Sequence, residues 1–226
     1  MQDTPSMQDT PASMQDTPAT LSDLDLAALV SSRICHDIIN PVAAIANGLE
    51  MLSEDPDAEM REASMDLIRK SAEQASAKLQ FARIAFGAAG SAGAAIDTRD
   101  AEKAARAFVG CSEKHDLVWD GPALILPKNK VKLLLNLVAL GVVALPRGGT
   151  LRASISGEGE DASFTVTATG KAAKLKEEVT ALLAGEVPPE IDSHTIQPYY
   201  ASRLAKAAGM SLDVRLGEDV VVLKAG

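Results

Sequence analysis

A long stretch of helical periodicity over about residues 21–53 restricts the fold of this chain more than any other feature of its sequence. At about 100° per residue, a group of apolar side chains falls on or beside one face of such a helix. They are Ile34, Ile38, Ile45, Leu49 and Leu52, flanked by Val30 and Val42. Thr20 or Ser22, followed by Asp23 and Asp25, supplies a capping oxygen and first-turn acids. The stretch therefore predicts one long amphipathic helix.

A second helix is predicted after Pro56, because the proline ends the first helix and apolar or small residues then recur every three or four residues. These positions are Met60, Ala63, Leu67, Ser71, Ala75, Leu79, Ala82 and Phe86. The short connection makes the two helices antiparallel. Two helices of this length bury only one stripe against each other, so we expect a second copy of the chain to complete a four-helix bundle. The predicted assembly is a homodimer.

The chain divides where its composition changes. Three Met-Gln-Asp-Thr-Pro repeats at the start are polar and carry no apolar face, which is typical of disorder. Small residues over 87–95 have the character of a linker. We therefore predict a disordered tail over 1–20, a helical-hairpin domain over 21–90, a linker over 91–97 and an α/β domain over 98–226. The repeated Met1, Met7 and Met14 leave the start codon open.

Helical and strand patterns alternate in the second half. Helices are predicted over 98–109, 129–145, 172–183 and 198–208. Strands are predicted over 117–119, 123–126, 151–156, 163–169, 212–216 and 220–223. The fold class is thus α+β, a helical hairpin followed by an α/β sandwich with helices over one face of a mixed sheet.

Composition excludes several function classes. The net charge of −9 and the scarcity of aromatic residues, at 3%, oppose nucleic-acid binding. The two cysteines lack the spacing of a zinc site or a disulfide framework and fit a reducing compartment. No apolar run reaches membrane-spanning length, and the start lacks the character of a signal peptide. We expect a cytoplasmic protein without nucleic-acid or membrane partners.

His36 is the strongest candidate for chemistry. It falls on the face of the first helix opposite the apolar stripe, among small or polar neighbours that leave room for a docking protein. These neighbours are Ser32, Arg33, Asn40, Ala43 and Asn47. Asp37 follows His36 directly and could orient its Nδ1 proton while Nε2 stays free as a nucleophile. Pro41 interrupts a helix interior at a cost of about 3 kcal/mol, which packing alone does not explain.

The segment from Cys35 to Pro41 resembles the phospho-acceptor motif of two-component histidine kinases: a histidine, an acid, and a proline five residues after the histidine. The order of hairpin and second domain over residues 21–226 most resembles the ChpT-type histidine phosphotransferases. This resemblance implies that the second domain is similar to the ATPase (Bergerat) domain of histidine kinases.

Three positions of that domain depart from the kinase pattern. The asparagine expected to hold Mg²⁺ corresponds to Leu140, and leucine cannot coordinate a hard cation. The adenine-binding Asp-x-Gly-x-Gly motif corresponds to residues 168–172, where the acid and the second glycine are missing. The last glycine motif corresponds to residues 197–200, which read Gln-Pro-Tyr-Tyr. The resemblance therefore implies a degenerate ATPase-like domain that does not bind ATP.

The implied function is a histidine phosphotransferase of a bacterial phosphorelay. His36 would accept a phosphoryl group from a receiver-domain aspartate and pass it to another receiver, with Asp37 as orienting base. Ser32, Arg33, Asn40 and Ala43 would contact the receiver, and Mg²⁺ would come from the receiver rather than from this chain. The resemblance suggests a hybrid kinase of the CckA type upstream and cell-cycle response regulators of the CtrA and CpdR types downstream. An active ATP-dependent histidine kinase and a non-catalytic receiver-binding adaptor remain as alternatives.

Overall fold

The computed structural model describes residues 21–54, 56–87, 95–186 and 190–226. Helix α1 (Asp23–Ser53) and helix α2 (Ala58–Ala85) form the predicted antiparallel hairpin. The Ser22 hydroxyl accepts a hydrogen bond from the backbone N–H of Asp25 at 3.1 Å, so Ser22 rather than Thr20 caps α1. Asp57 caps α2 in the same way, accepting from the N–H of Met60 at 2.8 Å. The predicted tail over 1–20 and the linker over 91–94 lie outside the described residues.

Small residues bring the two helices of the hairpin together. Gly48 is buried in α1, and a Cβ added there would lie 2.7 Å from Cγ1 of Ile68 in α2. Ser64 and Ser71 of α2 are buried at the same contact. Leu49 and Val42 were predicted on or beside the buried face, but within a single chain they are 55% and 50% exposed. The reason is that the α1·α2 contact covers only one stripe of each helix.

The second half forms the predicted α+β architecture. Its helices are α3 (Thr98–Val109), α4 (Lys128–Val143), α5 (Glu177–Leu183) and α6 (Ile196–Ala207). Its strands are β1 (Ala95–Asp97), β2 (His115–Asp120), β3 (Ile125–Pro127), β4 (Gly149–Ser156), β5 (Ser163–Thr169), β6 (Leu212–Gly217) and β7 (Val220–Ala225). Five of these strands form a mixed sheet in the order β2-β4-β5-β7-β6, in which β2 and β4 are parallel and the other pairs are antiparallel.

Two local predictions are wrong. Residues 95–97, assigned to the linker, form β1, which pairs antiparallel with β3. The helix predicted from residue 172 begins only at Glu177. Ala172 has a φ of 62°, which belongs to the left-handed region and cannot lie in a right-handed helix. Its N–H donates to Oδ1 of Asp219 at 2.6 Å, so a contact distant in sequence holds this backbone.

The end of α2 belongs to the core of the α/β domain. Phe81, Ile84 and Ala85 are buried in the same apolar cluster as helix α4 and the central strands. Phe81 stacks on Phe108 of α3 with ring centroids 4.1 Å apart. Asn136 of α4, fully buried, donates through Nδ2 to the carbonyl of Ala85 at 3.2 Å. These contacts fix the hairpin to the domain that follows it.

No helix in the described ranges combines the length and the apolar character that a membrane crossing requires.

Candidate functional site

The imidazole of His36 lies on the exposed face of α1, as the helical periodicity predicts. Its side chain is 56% exposed, and Nδ1 lies 3.8 Å from Oδ1 of Asp37. That distance is beyond a hydrogen bond but shows which ring nitrogen faces the carboxylate. Because the two nitrogens lie on different edges of the ring, Nε2 is turned away from Asp37.

Asp37 is held by a neighbour on its own helix. Nε of Arg33 donates to Oδ2 of Asp37 at 3.0 Å, and the two side chains are partly buried. Their spacing of four residues places them one above the other on the helix surface. Oδ2 is therefore occupied, and Oδ1 is the oxygen directed towards His36. The structure thus brings Arg33, His36 and Asp37 together as a chain of three side chains.

The other predicted neighbours of His36 lie where the periodicity places them. Ser32, Asn40 and Ala43 are all exposed. None of them is large enough to cover the ring, so a partner protein can approach the His36 face closely. Arg33 differs from them because its side chain turns inwards towards Asp37 and the α/β domain.

Pro41 removes one backbone hydrogen bond from α1, and the structure shows which side chain replaces it. A proline lacks the N–H that would bond to the carbonyl four residues earlier, which here is the carbonyl of Asp37. Lys78 of α2 replaces that donor, and its Nζ lies 3.0 Å from the Asp37 oxygen. Helix α1 is continuous across the proline. Sequence reasoning missed Lys78, because its partner is 41 positions away.

His194 is the second residue that sequence reasoning missed. It lies in the turn before α6. However, its ring packs against that of His36 with centroids 5.6 Å apart and an interplanar angle of 79°. No local sequence signal points to this contact. The remaining histidine, His115, begins strand β2, and its Nε2 is 3.0 Å from the carbonyl oxygen of Leu145.

A cleft of about 540 Å³ lies between α1 and the α/β domain beside this pair of histidines. Its lining includes Arg33, the buried Leu140 and the N-terminal part of α6. Its other charged or titratable side chains are Lys174, Lys176, Glu178, Asp192 and His194. The cleft therefore extends from Arg33, beside the face that carries His36, to Leu140 of α4.

Comparisons with known proteins agree with this architecture. Residues 98–220 match the family described as histidine phosphotransferase C-terminal domain. The chain thus belongs to the histidine phosphotransferase family, which confirms the class of protein and of enzyme predicted from its sequence.

Two relatives make the assignment more specific. Protein phosphotransferase ChpT of Brucella abortus (strain 2308) is 50% identical over 203 residues, which cover 88% of this chain and 94% of that protein. A solved 1.7 Å structure of a bacterial phosphotransferase is 47% identical, covers 92% of this chain and 99% of its own, and superimposes with a TM-score of 0.84. The chain is thus similar to ChpT over both the hairpin and the α/β domain.

Proposed function

We propose that His36 is the residue that carries the phosphoryl group. The observation that carries this proposal is the geometry of its ring, which is exposed on a rigid helix with Nδ1 towards Asp37 and Nε2 turned away. A nucleophile must be accessible to its electrophile, and a partner-facing Nε2 meets that requirement. Family membership supplies the reaction class, phosphoryl transfer in a phosphorelay.

The proposed reaction has two related steps. The lone pair of neutral Nε2 attacks the phosphorus of a receiver's aspartyl phosphate. A P–N bond forms while the P–O bond to the aspartate breaks, and the carboxylate leaves with that electron pair. The second receiver reverses these events. Both transfers pass through a loose transition state, so positioning and the Mg²⁺ in the receiver's acidic pocket supply most of the catalysis.

Asp37 and Arg33 have supporting roles in this proposal. Asp37 acts as the orienting base, since its Oδ1 is the carboxylate oxygen nearest Nδ1 of His36. Arg33 fixes Asp37 through the 3.0 Å bond to Oδ2, which leaves Oδ1 available. The exposed Ser32, Asn40 and Ala43 contact the receiver and set how closely it approaches.

The α/β domain acts in this proposal without ATP. Leu140, at the position expected to hold Mg²⁺, is an apolar side chain in the wall of the cleft. Asn136, the asparagine that remains, is fully buried and donates to the carbonyls of Ala85 and Lys132. Its amide is committed to packing contacts, which supports a domain that needs no nucleotide or metal of its own.

A homodimer completes the hairpin in this proposal. Five apolar side chains of the hairpin are between 50% and 62% exposed within one chain: Ile39, Val42, Leu49, Met65 and Leu79. In α1, Val42 comes three residues after Ile39, and Leu49 comes seven residues after Val42. In α2, Leu79 comes fourteen residues after Met65. Each set therefore forms one stripe along its helix. Leu49 directly follows Gly48 and Met65 directly follows Ser64, two residues that meet at the α1·α2 contact, so each stripe lies about 100° around its helix from that contact. Because the two helices are antiparallel, the same rotation turns both stripes to the same side of the hairpin. A second hairpin would cover both, leaving His36 outside the bundle.

The partners follow from the family resemblance. We propose a receiver domain of a CckA-type hybrid kinase as phosphoryl donor and CtrA-type and CpdR-type response regulators as acceptors, acting in the cytoplasm and in cell-cycle control. The net acidic charge of −9 makes a direct role of nucleic acid unfavourable.

The decisive experiment is incubation of the full chain with a phosphorylated receiver, followed by mapping of the labelled residue. We expect an acid-labile, base-stable phosphate on His36 and complete loss of labelling in His36→Gln with the dimer intact. Asn47→Ala, an exposed change on the same face, is the control and should label normally. Transfer retained by His36→Gln overturns the proposal. Docking without any label indicates the adaptor, and labelling from ATP alone indicates an active kinase.

A further inference from the structure

His194 stands beside His36 although it comes from the other domain. The two rings meet edge to face with centroids 5.6 Å apart. This is within the range at which aromatic rings contact each other. His36 remains 56% exposed despite the contact, so His194 occupies one side of the ring and leaves another side open for a receiver.

The turn that carries His194 is held by a network of hydrogen bonds centred on Asp192. Oδ1 of Asp192 accepts from the backbone N–H of His194 at 2.9 Å, from that of Thr195 at 2.8 Å and from the Thr195 hydroxyl at 2.8 Å. The Thr195 hydroxyl oxygen in turn accepts from the N–H of Asp192 at 2.9 Å. These bonds, those from Thr195 first, hold the pKa of Asp192 below its usual value. The backbone of His194 is therefore fixed at neutral pH.

Helix α6 fixes the turn relative to α1. A small apolar cluster joins Ile196 and Tyr199 of α6, together with Leu182 of α5, to the N-terminal part of α1. The α1 side chains in this cluster are Leu26, Leu29 and Val30, about two turns before His36. Because apolar packing holds both helices, the distance between the two histidines is set by the fold and does not depend on a long mobile loop.

The charged side chains around the pair balance in sign. Arg33 lies on α1 but is paired with Asp37. Across the cleft stand Lys174 and Lys176 together with the acids Glu178 and Asp192. Asp192 is committed to its own turn, as described above. The ring of His194 contacts that of His36 directly, and an imidazole carries an N–H that can donate a hydrogen bond.

We propose that His194 is a phosphoryl-binding residue, which donates a ring N–H to an oxygen of the phosphoryl group carried on Nε2 of His36. This inference rests on the proposed function of His36. A phosphoryl group attached to Nε2 of His36 comes within hydrogen-bonding reach of His194 when the side chain of His194 rotates. The bond satisfies one phosphoryl oxygen and covers one side of the group, so it slows hydrolysis while a receiver can still approach from the open side.

The test uses the full chain phosphorylated with phosphoramidate, a small donor that needs no receiver. We compare the wild type with His194→Ala, which removes the donor, and His194→Gln, which keeps an N–H donor. Glu190→Ala, an exposed change just before the same turn, is the control. The readouts are the ³¹P chemical shift of the phosphohistidine and its rate of hydrolysis, neither of which a merely structural role would change.

We expect hydrolysis about tenfold faster in His194→Ala, the effect of one hydrogen bond to a charged group. His194→Gln should stay within about threefold of the wild type, and Glu190→Ala should match it. Equal ³¹P shifts and hydrolysis rates in all four proteins, with His36 labelled, would overturn the inference and leave the role of His36 standing. If the wild type takes no label on His36, the proposed function fails, and the role of His194 fails with it.

Discussion

Helices α1 and α4 bury their residues in opposite ways, although both are long and rich in apolar side chains. Every residue from Lys130 to Gly141 of α4 is buried. In the 31 residues of α1, only Pro41 and Gly48 are buried within one chain. Helix α4 lies among the sheet, α2, α3 and α6, whereas α1 packs mainly on α2 and touches α6 near its N-terminal end.

The difference shows how the two parts of the molecule divide their tasks. The α/β domain closes its core together with the end of α2 and can serve as a rigid support. The hairpin leaves one side apolar and open, which suits a second chain, and another side polar and open, which suits a receiver. His36 lies on the polar side, and the turn carrying His194 connects that side to the support.

The largest effect is expected in the closed core. Leu137 of α4 is fully buried, and Leu137→Ala should lower the free energy of unfolding by about 2–5 kcal/mol through lost burial and a cavity. Chemical denaturation at fixed protein concentration measures this loss. Leu216→Ala, at a 57% exposed position of β6, is the control and should change stability by less than about 0.5 kcal/mol. Similar losses in both variants would contradict a closed core.

A substitution in the exposed apolar stripe of the hairpin should weaken dimer assembly without preventing folding. Leu49→Glu places an unpaired charge where the second hairpin is proposed to pack, which costs several kcal/mol. We therefore expect the dimer dissociation constant to rise at least about 100-fold, measured by sedimentation equilibrium. Asn47→Glu, on the polar face, should leave it unchanged. A dimer of Leu49→Glu as tight as that of the wild type would show that the stripe is not the interface.

The hydrogen bond from Lys78 of α2 to the Asp37 carbonyl of α1 should contribute less to the free energy of unfolding. Lys78→Met removes the donor to the carbonyl of Asp37, and a single hydrogen bond of this kind is worth about 1 kcal/mol net. The expected result is a lower denaturation midpoint and faster amide hydrogen exchange around Pro41. Lys70→Met, which removes only an exposed ion pair with Asp66, should cost less. Equal costs would mean that the carbonyl freed by Pro41 needs no partner.

The smallest effect is expected when acid protonates Asp192 in the turn that carries His194. The pKa of Asp192 is lower in the folded protein than in the unfolded chain, so its bonds stabilise the turn above the unfolded value. The stabilisation is lost as pH falls from about 4 through the folded value. The protection of the His194 and Thr195 amides against exchange, relative to an unstructured peptide at the same pH, should therefore decrease in that range. Asp192→Asn should show no such pH dependence, and wild-type protection that stays constant would show that this titration does not control the turn.

Much of the local structure could be predicted from the sequence. The bounds of α3 agree with the prediction, and the start of α1 follows from the Ser22 cap because the signal lies within four residues. The exposed position of His36 follows from the 3.6-residue period alone. By contrast, the pairing of β1 with β3 could not be predicted, because strand partners are chosen by contacts that a local pattern does not contain.

The sequence by itself determined the hairpin, most helices and strands of the α/β domain, and the face on which His36 lies, since each depends on periodicity and capping over a few neighbouring residues. Only the tertiary structure decided that Lys78 replaces the donor missing at Pro41, that the end of α2 enters the core of the α/β domain, and that His194 meets His36. These contacts join residues that are far apart in the sequence, such as Phe81 with Phe108 and His36 with His194, and their geometry is fixed by the packing of whole helices, which no short stretch of sequence encodes.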